Sequence, residues 1–143
     1  MNKNPYLAKH RLQDVLAALQ FLALYDNYDL TEDDFRKKIA VDPKSAKRWS
    51  EVFADHPEFF RQSESEGDYS LVLRRAKTKD AKGVRPPLSP AELSMLFETA
   101  THLQKHELEL RKDRRAWLPL ALTGIGILAA FLGTILGALI RTH

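Results

Sequence analysis

The chain of 143 residues contains no cysteine. That absence excludes a disulfide framework, thiolate zinc sites and a cysteine nucleophile, and it suits a reducing compartment. A glycine-rich phosphate loop, a nucleophile elbow and the ligand spacing of an EF-hand are also missing, so nucleotide, acyl-transfer and calcium chemistry find no recognisable frame. The first twenty residues, MNKNPYLAKHRLQDVLAALQ, lack an uninterrupted apolar block and carry charges throughout, which excludes a secretory signal peptide. No sign of charge dominates either. Residues 1–78 hold 13 Lys/Arg against 13 Asp/Glu, and residues 79–143 hold 9 against 6. Domains that grip nucleic-acid phosphates are usually clearly basic, so this balance weighs against such a role.

What the chain does contain is one long apolar run. Residues 116–140, AWLPLALTGIGILAAFLGTILGALI, are 25 positions without a charged side chain. A helix needs roughly 20 apolar residues to cross the hydrocarbon core, so the run predicts a transmembrane helix and a tail-anchored chain. Lys105, Arg111, Lys112, Arg114 and Arg115 precede the run and only Arg141 follows it. The positive-inside tendency then predicts a single-pass protein of the inner (cytoplasmic) membrane with its N-terminal domain in the cytoplasm.

Upstream, Asn4 and Pro5 read as the cap and first turn of a helix, with Leu12, Val15, Leu16, Leu19 and Leu22 as its apolar face. Thr31 followed by Asp34 reads as a capping box opening TEDDFRKKIA, with Phe35 and Ile39 inward. A third helix is predicted from Pro43 to His56, burying Ala46, Trp49, Val52 and Phe53. FFRQS and YSLVLRR, either side of Glu66-Gly67-Asp68, read as a β-hairpin. Trp49, Phe53, the HPEFFR run (His56 to Arg61) and the SLVLRR run (Ser70 to Arg75), in this order and spacing, resemble winged helix-turn-helix domains. The whole chain resembles small uncharacterised bacterial membrane proteins that join such a domain to a C-terminal anchor. The resemblance implies a fold and no chemistry.

Residues 77–88, KTKDAKGVRPPL, are charged, contain Gly83 and Pro86-Pro87, and lack an apolar period, so they read as a linker. Ser89-Pro90-Ala91-Glu92 marks a sharp helix start. Beyond it Leu93, Leu96, Ala100, Leu103, Leu110 and Trp117 recur at three- and four-residue steps, an apolar seam suited to a coiled coil. Gly126, Ala130, Gly133 and Gly137 add a small-residue stripe of the kind that lets helices approach closely in a bilayer. The expected fold class is mainly α: a winged-helix-like domain of three helices and a β-hairpin (1–76), a basic linker (77–88), an amphipathic stalk (89–115), a transmembrane helix (116–140) and a short tail (141–143). Leu93, Leu96, Ala100, Leu103, Leu110, Gly126, Ala130, Gly133 and Gly137 are the candidate oligomerisation residues, and they predict a parallel homo-oligomer.

No catalytic constellation emerges. His102 and His106 lie one helical turn apart, but a third zinc ligand is missing, and Glu32, Asp33 and Asp34 occupy a first helical turn where acids are favourable without any metal. His10 and His56 stand alone in sequence, with no nucleophile beside them. No metal, no cofactor and no enzymatic activity are therefore expected. Two basic groups are candidate polyanion-binding sites: Lys44, Lys47 and Arg48 on the third helix, and Arg74, Arg75, Lys77, Lys79, Lys82 and Arg85 in and before the linker. The expected function is a membrane-anchored, cytosol-facing module for protein interaction and assembly, with lipid, a second copy and a cytosolic protein as partners. The alternative is a membrane-tethered winged-helix regulator that binds DNA through those cations.

Overall fold

The computed structural model describes residues 4–26, 29–63 and 67–112. The chain divides into two compact units, Met1–Lys105 and His106–His143. In the second unit the described residues, 106–112, are helical.

The first unit opens with a 3-10 turn, Pro5–Leu7, whose Tyr6 N–H donates to the Asn4 side chain at 3.1 Å. The single helix expected from Asn4 onward is broken here. His10 adopts a left-handed backbone (φ 65°), and α1 (Arg11–Leu24) begins only after it. Val15, Ala18, Leu19, Leu22 and Ala23 then fall on one face at helical spacing and are essentially inaccessible. Helix α2 (Glu32–Ile39) is capped by Thr31, whose hydroxyl accepts the Asp34 N–H at 3.1 Å. Its buried residue, Phe35, makes edge-on contacts with Phe21, Trp49 and Phe53 at centroid distances of 5.1, 5.0 and 5.2 Å. Such aromatic pairs add to the stabilisation from apolar burial itself. Helix α3 (Trp49–Asp55) supplies Trp49, Val52 and Phe53 to the same core.

Strands β1 (Phe60–Gln62) and β2 (Tyr69–Leu71) form an antiparallel pair with Phe60 opposite Leu71 and Gln62 opposite Tyr69. An isolated antiparallel bridge adds Leu30 beside Tyr69. The order of helices followed by a two-stranded sheet is compatible with a winged helix. The second strand is shorter than the SLVLRR run suggests, because Val72–Arg75 turns into a short helix, α4. The turn has a clear cause. It swings the Arg74 guanidinium into the interior, where it is inaccessible and donates to the carbonyls of Leu22, Tyr25, Asp26 and Arg85.

Residues 77–88 are not a free linker. The Leu88 N–H donates to the Ala23 carbonyl at 2.9 Å, and the Leu88 side chain is buried in the core. Lys77 Nζ donates to the Pro87 carbonyl (3.1 Å) and to the Glu92 carboxylate (2.6 Å). The Ser89–Glu92 capping box closes the same corner, with the Ser89 N–H and hydroxyl donating to Glu92 at 2.7 and 2.9 Å. The Lys77 ammonium, and then the Ser89 backbone and side-chain donors, hold the Glu92 carboxyl down to about 2.

Residues 90–112 are helical (α5). Within the first unit Leu96 and Ala100 are buried in the core, and Leu93, Phe97 and Leu103 pack against it. The expected stalk is therefore part of the domain up to Lys105. The expected fold class, with a stalk continuing into one transmembrane helix, and the expected single-pass inner-membrane localisation are both corrected here. Among the described residues no helix is long and apolar enough to cross a membrane. The longest, α5, carries Glu92, Glu98, Lys105, Glu107, Glu109, Arg111 and Lys112 along its length, and each charge at bilayer depth is expensive. The apolar run 116–140 lies outside the described residues.

Two outcomes follow from this packing. Arg74→Met should lower the unfolding free energy in urea by about 1–3 kcal/mol, because the carbonyls of Leu22, Tyr25, Asp26 and Arg85 lose their donor. Lys77→Ala should return the Glu92 titration, followed by NMR, upward toward its ordinary value of 4.5. Since Glu92 is held below that value, its contribution is present above about pH 4.5 and is lost as the pH falls toward about 2.

Candidate interaction surface

The connection between α2 and α3 is the most exposed apolar point of the helical core. Helix α2 ends at Ala40, which takes a left-handed conformation (φ 54°, ψ 22°) while its N–H donates to the Arg36 carbonyl. That conformation costs an alanine roughly 1–2 kcal/mol, so surrounding contacts must hold it. Two do so. The Trp49 indole N–H donates to the Val41 carbonyl at 2.9 Å, and the Arg36 guanidinium bridges the Asp42 carboxylate at 2.8 Å. The Val41 backbone is thus fixed from inside while its side chain stands 56% exposed. Around it Asp33, Arg36, Lys37, Ala40 and Asp42 line a shallow cleft of about 380 Å³, with two acids facing two bases.

Lys44, Lys47 and Arg48 sit beside this cleft but not on a helix. The expected third helix starts at Trp49 rather than Pro43, and residues 44–48 are a series of bends. Asp14 is the reason. Buried in the first turn of α1, its carboxylate accepts the N–H groups of Lys44 (3.0 Å) and Ser45 (2.7 Å) and the Ser45 hydroxyl. Those amides would otherwise begin the helix. The amides at the start of α3 are occupied as well: Lys47 N–H by Glu51 (3.3 Å) and Ser50 N–H by Glu32 (3.2 Å). The three cations are exposed, yet a phosphate approaching α3 meets carboxylates where a helix start would offer donors.

The second basic group is dispersed in the same way. Arg74 is inaccessible and committed to carbonyls, Lys77 is paired with Glu92, and the Arg85 side chain donates to the Lys77 carbonyl at 3.2 Å. Arg75 is half-buried; Lys79 and Lys82 are exposed on a tight turn. Asp80 accepts the Lys82 and Val84 amides there (2.9 and 2.8 Å), and Gly83 supplies the positive φ of 78° that the turn requires. The 44–48 segment is tied to α1 at Asp14 and the 85–88 segment at Leu22 and Ala23, about 14 Å apart along the helix axis.

Of the candidate oligomerisation residues, Leu96 and Ala100 are used within the chain, Leu93 and Leu103 are half-buried against the same core, and Leu110 is 45% exposed. Gly126, Ala130, Gly133 and Gly137 lie outside the described residues. His102 shares a shallow cleft of about 320 Å³ with Ser94, Phe97, Glu98, Thr101 and Lys105; among the described residues no cluster of three metal-ligating side chains occurs.

His56, by contrast, is wholly inaccessible. Its Nδ1 lies 3.0 Å from Glu58, the Tyr6 hydroxyl donates to the same carboxylate, and the Tyr6 ring meets the imidazole edge-on at a centroid distance of 4.6 Å. Arg11, almost completely buried, pairs with Asp55 at 3.1 Å.

Comparison with known proteins returns no family model, no curated protein and no solved structure that matches this chain. Asp14, Ala40 and Val41 were not singled out by sequence reasoning. A capping acid thirty residues from its amides leaves no local pattern, and a left-handed alanine leaves none at all. Asp14→Ala should lower stability in urea by about 1–3 kcal/mol, because the Lys44 and Ser45 amides lose their charged acceptor. It should also speed amide exchange at residues 44 and 45 ahead of the core.

Proposed function

We propose that the chain is a non-catalytic protein-binding module that receives its partner on the α2–α3 connection. The observation that carries this reading is the exposed Val41 side chain, held on a fixed backbone within a cleft whose acids and bases balance. An apolar anchor rimmed by both signs of charge suits a protein surface, whose own side chains carry both signs. A polyanion would gain little there, since Arg36 is already neutralised by Asp42. The winged-helix-like arrangement of α1, α2, α3 and the hairpin, with Leu30 bridged to Tyr69, is part of the same proposal, though the fold alone fixes no function.

A second reading, a winged-helix DNA-binding regulator, draws on the exposure of Lys44, Lys47 and Arg48. Acid capping of α3 and the separate anchoring of the two basic groups favour the protein-binding reading over it.

A photo-crosslinking phenylalanine analogue in place of Val41 should yield one discrete protein adduct in cells, diminished by Asp42→Lys in the same chain. The analogue in place of Val84, which is 41% exposed in the segment that follows α4, should yield none. The full chain titrated with mixed-sequence duplex at physiological salt should show no submicromolar binding. Submicromolar binding abolished by replacing Lys44, Lys47 and Arg48 with alanine would overturn the proposal in favour of the regulator.

A further inference from the structure

The 3-10 turn Pro5–Leu7 is joined to the α3–β1 junction chiefly through one side chain, Tyr6. Its hydroxyl reaches Glu58 and its ring covers the edge of His56. His56 is an unusual residue to find beneath such a contact. It is inaccessible, its Nδ1 is engaged by Glu58, and its Nε2 is buried without a hydrogen-bond partner among the described residues. With Nδ1 donating to Glu58, Nε2 holds a lone pair and no proton, and this neutral form suits an apolar site.

A second proton changes that balance. It would add an N–H at Nε2 that meets no acceptor, and the new charge would face Arg11, whose Nε and Nη1 are themselves buried and unpartnered. We propose that residues 4–8 form an acid-released strap: protonation of His56 expels the imidazole from beneath Tyr6 and frees the N-terminal turn while the helical core stays folded. The groups that face the ring come from each element packed against it: Tyr6 from the turn, Arg11 from α1, Asp55 from α3 and Glu58 from the connection to β1. Asp55 favours the charged ring, but its carboxylate is engaged by Arg11 and half-open to water. Burial pushes the Glu58 carboxyl up, which weakens it as a counter-ion to the ring as the pH falls.

The sign of the pH dependence follows from the ring. Burial first, and then Arg11, bring His56 from 6.5 down to about 4. A base held below its ordinary value favours the closed state fully above about pH 6.5, and that preference is lost as the pH falls toward about 4. The turn packs directly on the imidazole through Tyr6, so the charge that appears on His56 acts on the strap first.

Because the chain has no cysteine, one introduced thiol carries one spin label. The full chain is labelled at Lys9→Cys, beside the turn, and separately at Lys82→Cys as a control. The mobile fraction of the Lys9 label should rise severalfold between about pH 6.5 and about pH 4, while the control label and the helical circular dichroism stay constant. Tyr6→Ala should give the mobile spectrum at every pH, and His56→Phe should remove the pH response. A response that persists in His56→Phe, a mobile fraction that never rises, or release that coincides with loss of helical signal would overturn the strap. Should His56→Phe fail to fold, ring NMR decides in a chain whose other four histidines are glutamine. A His56 titration that coincides with release supports the strap, and a ring that stays neutral through release overturns it.

Discussion

The buried guanidinium of Arg74 is the interaction on which the rest of this domain depends. An uncompensated cation in the interior would be strongly destabilising, and here its partners are backbone carbonyls rather than an acid. Three of them, from Leu22, Tyr25 and Asp26, lie at and just beyond the C-terminal end of α1, where helical carbonyls lack partners of their own. The fourth, from Arg85, belongs to the segment that follows α4. One side chain thus satisfies the end of α1 and fixes the direction of the chain leaving the hairpin. Burial pulls its pKa down, while Asp26 and Asp29 oppose that pull. With Arg85 held, Leu88 reaches the core and Leu96 and Ala100 follow it.

This arrangement determines which surfaces remain open. The stripe of Leu93, Leu96, Ala100 and Leu103 is occupied inside the unit. Carboxylates from three helices, Asp14, Glu32 and Glu51, accept from the amides before and at the start of α3. Among the surfaces left outward is the α2–α3 connection, where the most exposed large apolar side chain of the described residues, Val41, stands among opposed charges. The protein partner proposed above rests on that combination, for reasons of charge pairing rather than of total charge.

Much of the core was legible in the sequence because apolar side chains recur at helical spacing: Val15, Leu19 and Leu22 on α1, Phe35 on α2, Trp49 and Phe53 on α3 are all buried. The capping residues Thr31 and Ser89 were legible too, since their partners lie three residues away. Three features were not. Arg74 reads as one more cation in a basic run, yet its partners at and just beyond the end of α1 are 48 to 52 residues distant. KTKDAKGVRPPL has the composition of a linker, but it is held by backbone groups that composition does not reveal. The seam on α5 repeats as a coiled coil would, and periodicity cannot say whether the covering surface is another chain or this one. Of the candidate interaction surface, the cations at 44, 47 and 48 were visible, while Val41 was hidden, because its prominence comes from a backbone conformation and not from a residue pattern.

The left-handed turn at Ala40 has an entropic consequence for recognition. A loop that must become ordered on association weakens binding by the freedom it loses, whereas one already held in place does not. Here the indole of Trp49 and the Arg36–Asp42 bridge restrain the backbone on both sides of Val41, so under the proposed protein-binding role the valine would be presented as a rigid knob. Encounters would then be governed by shape at first contact, and differences in affinity among partners would be expressed mainly in how fast each one leaves.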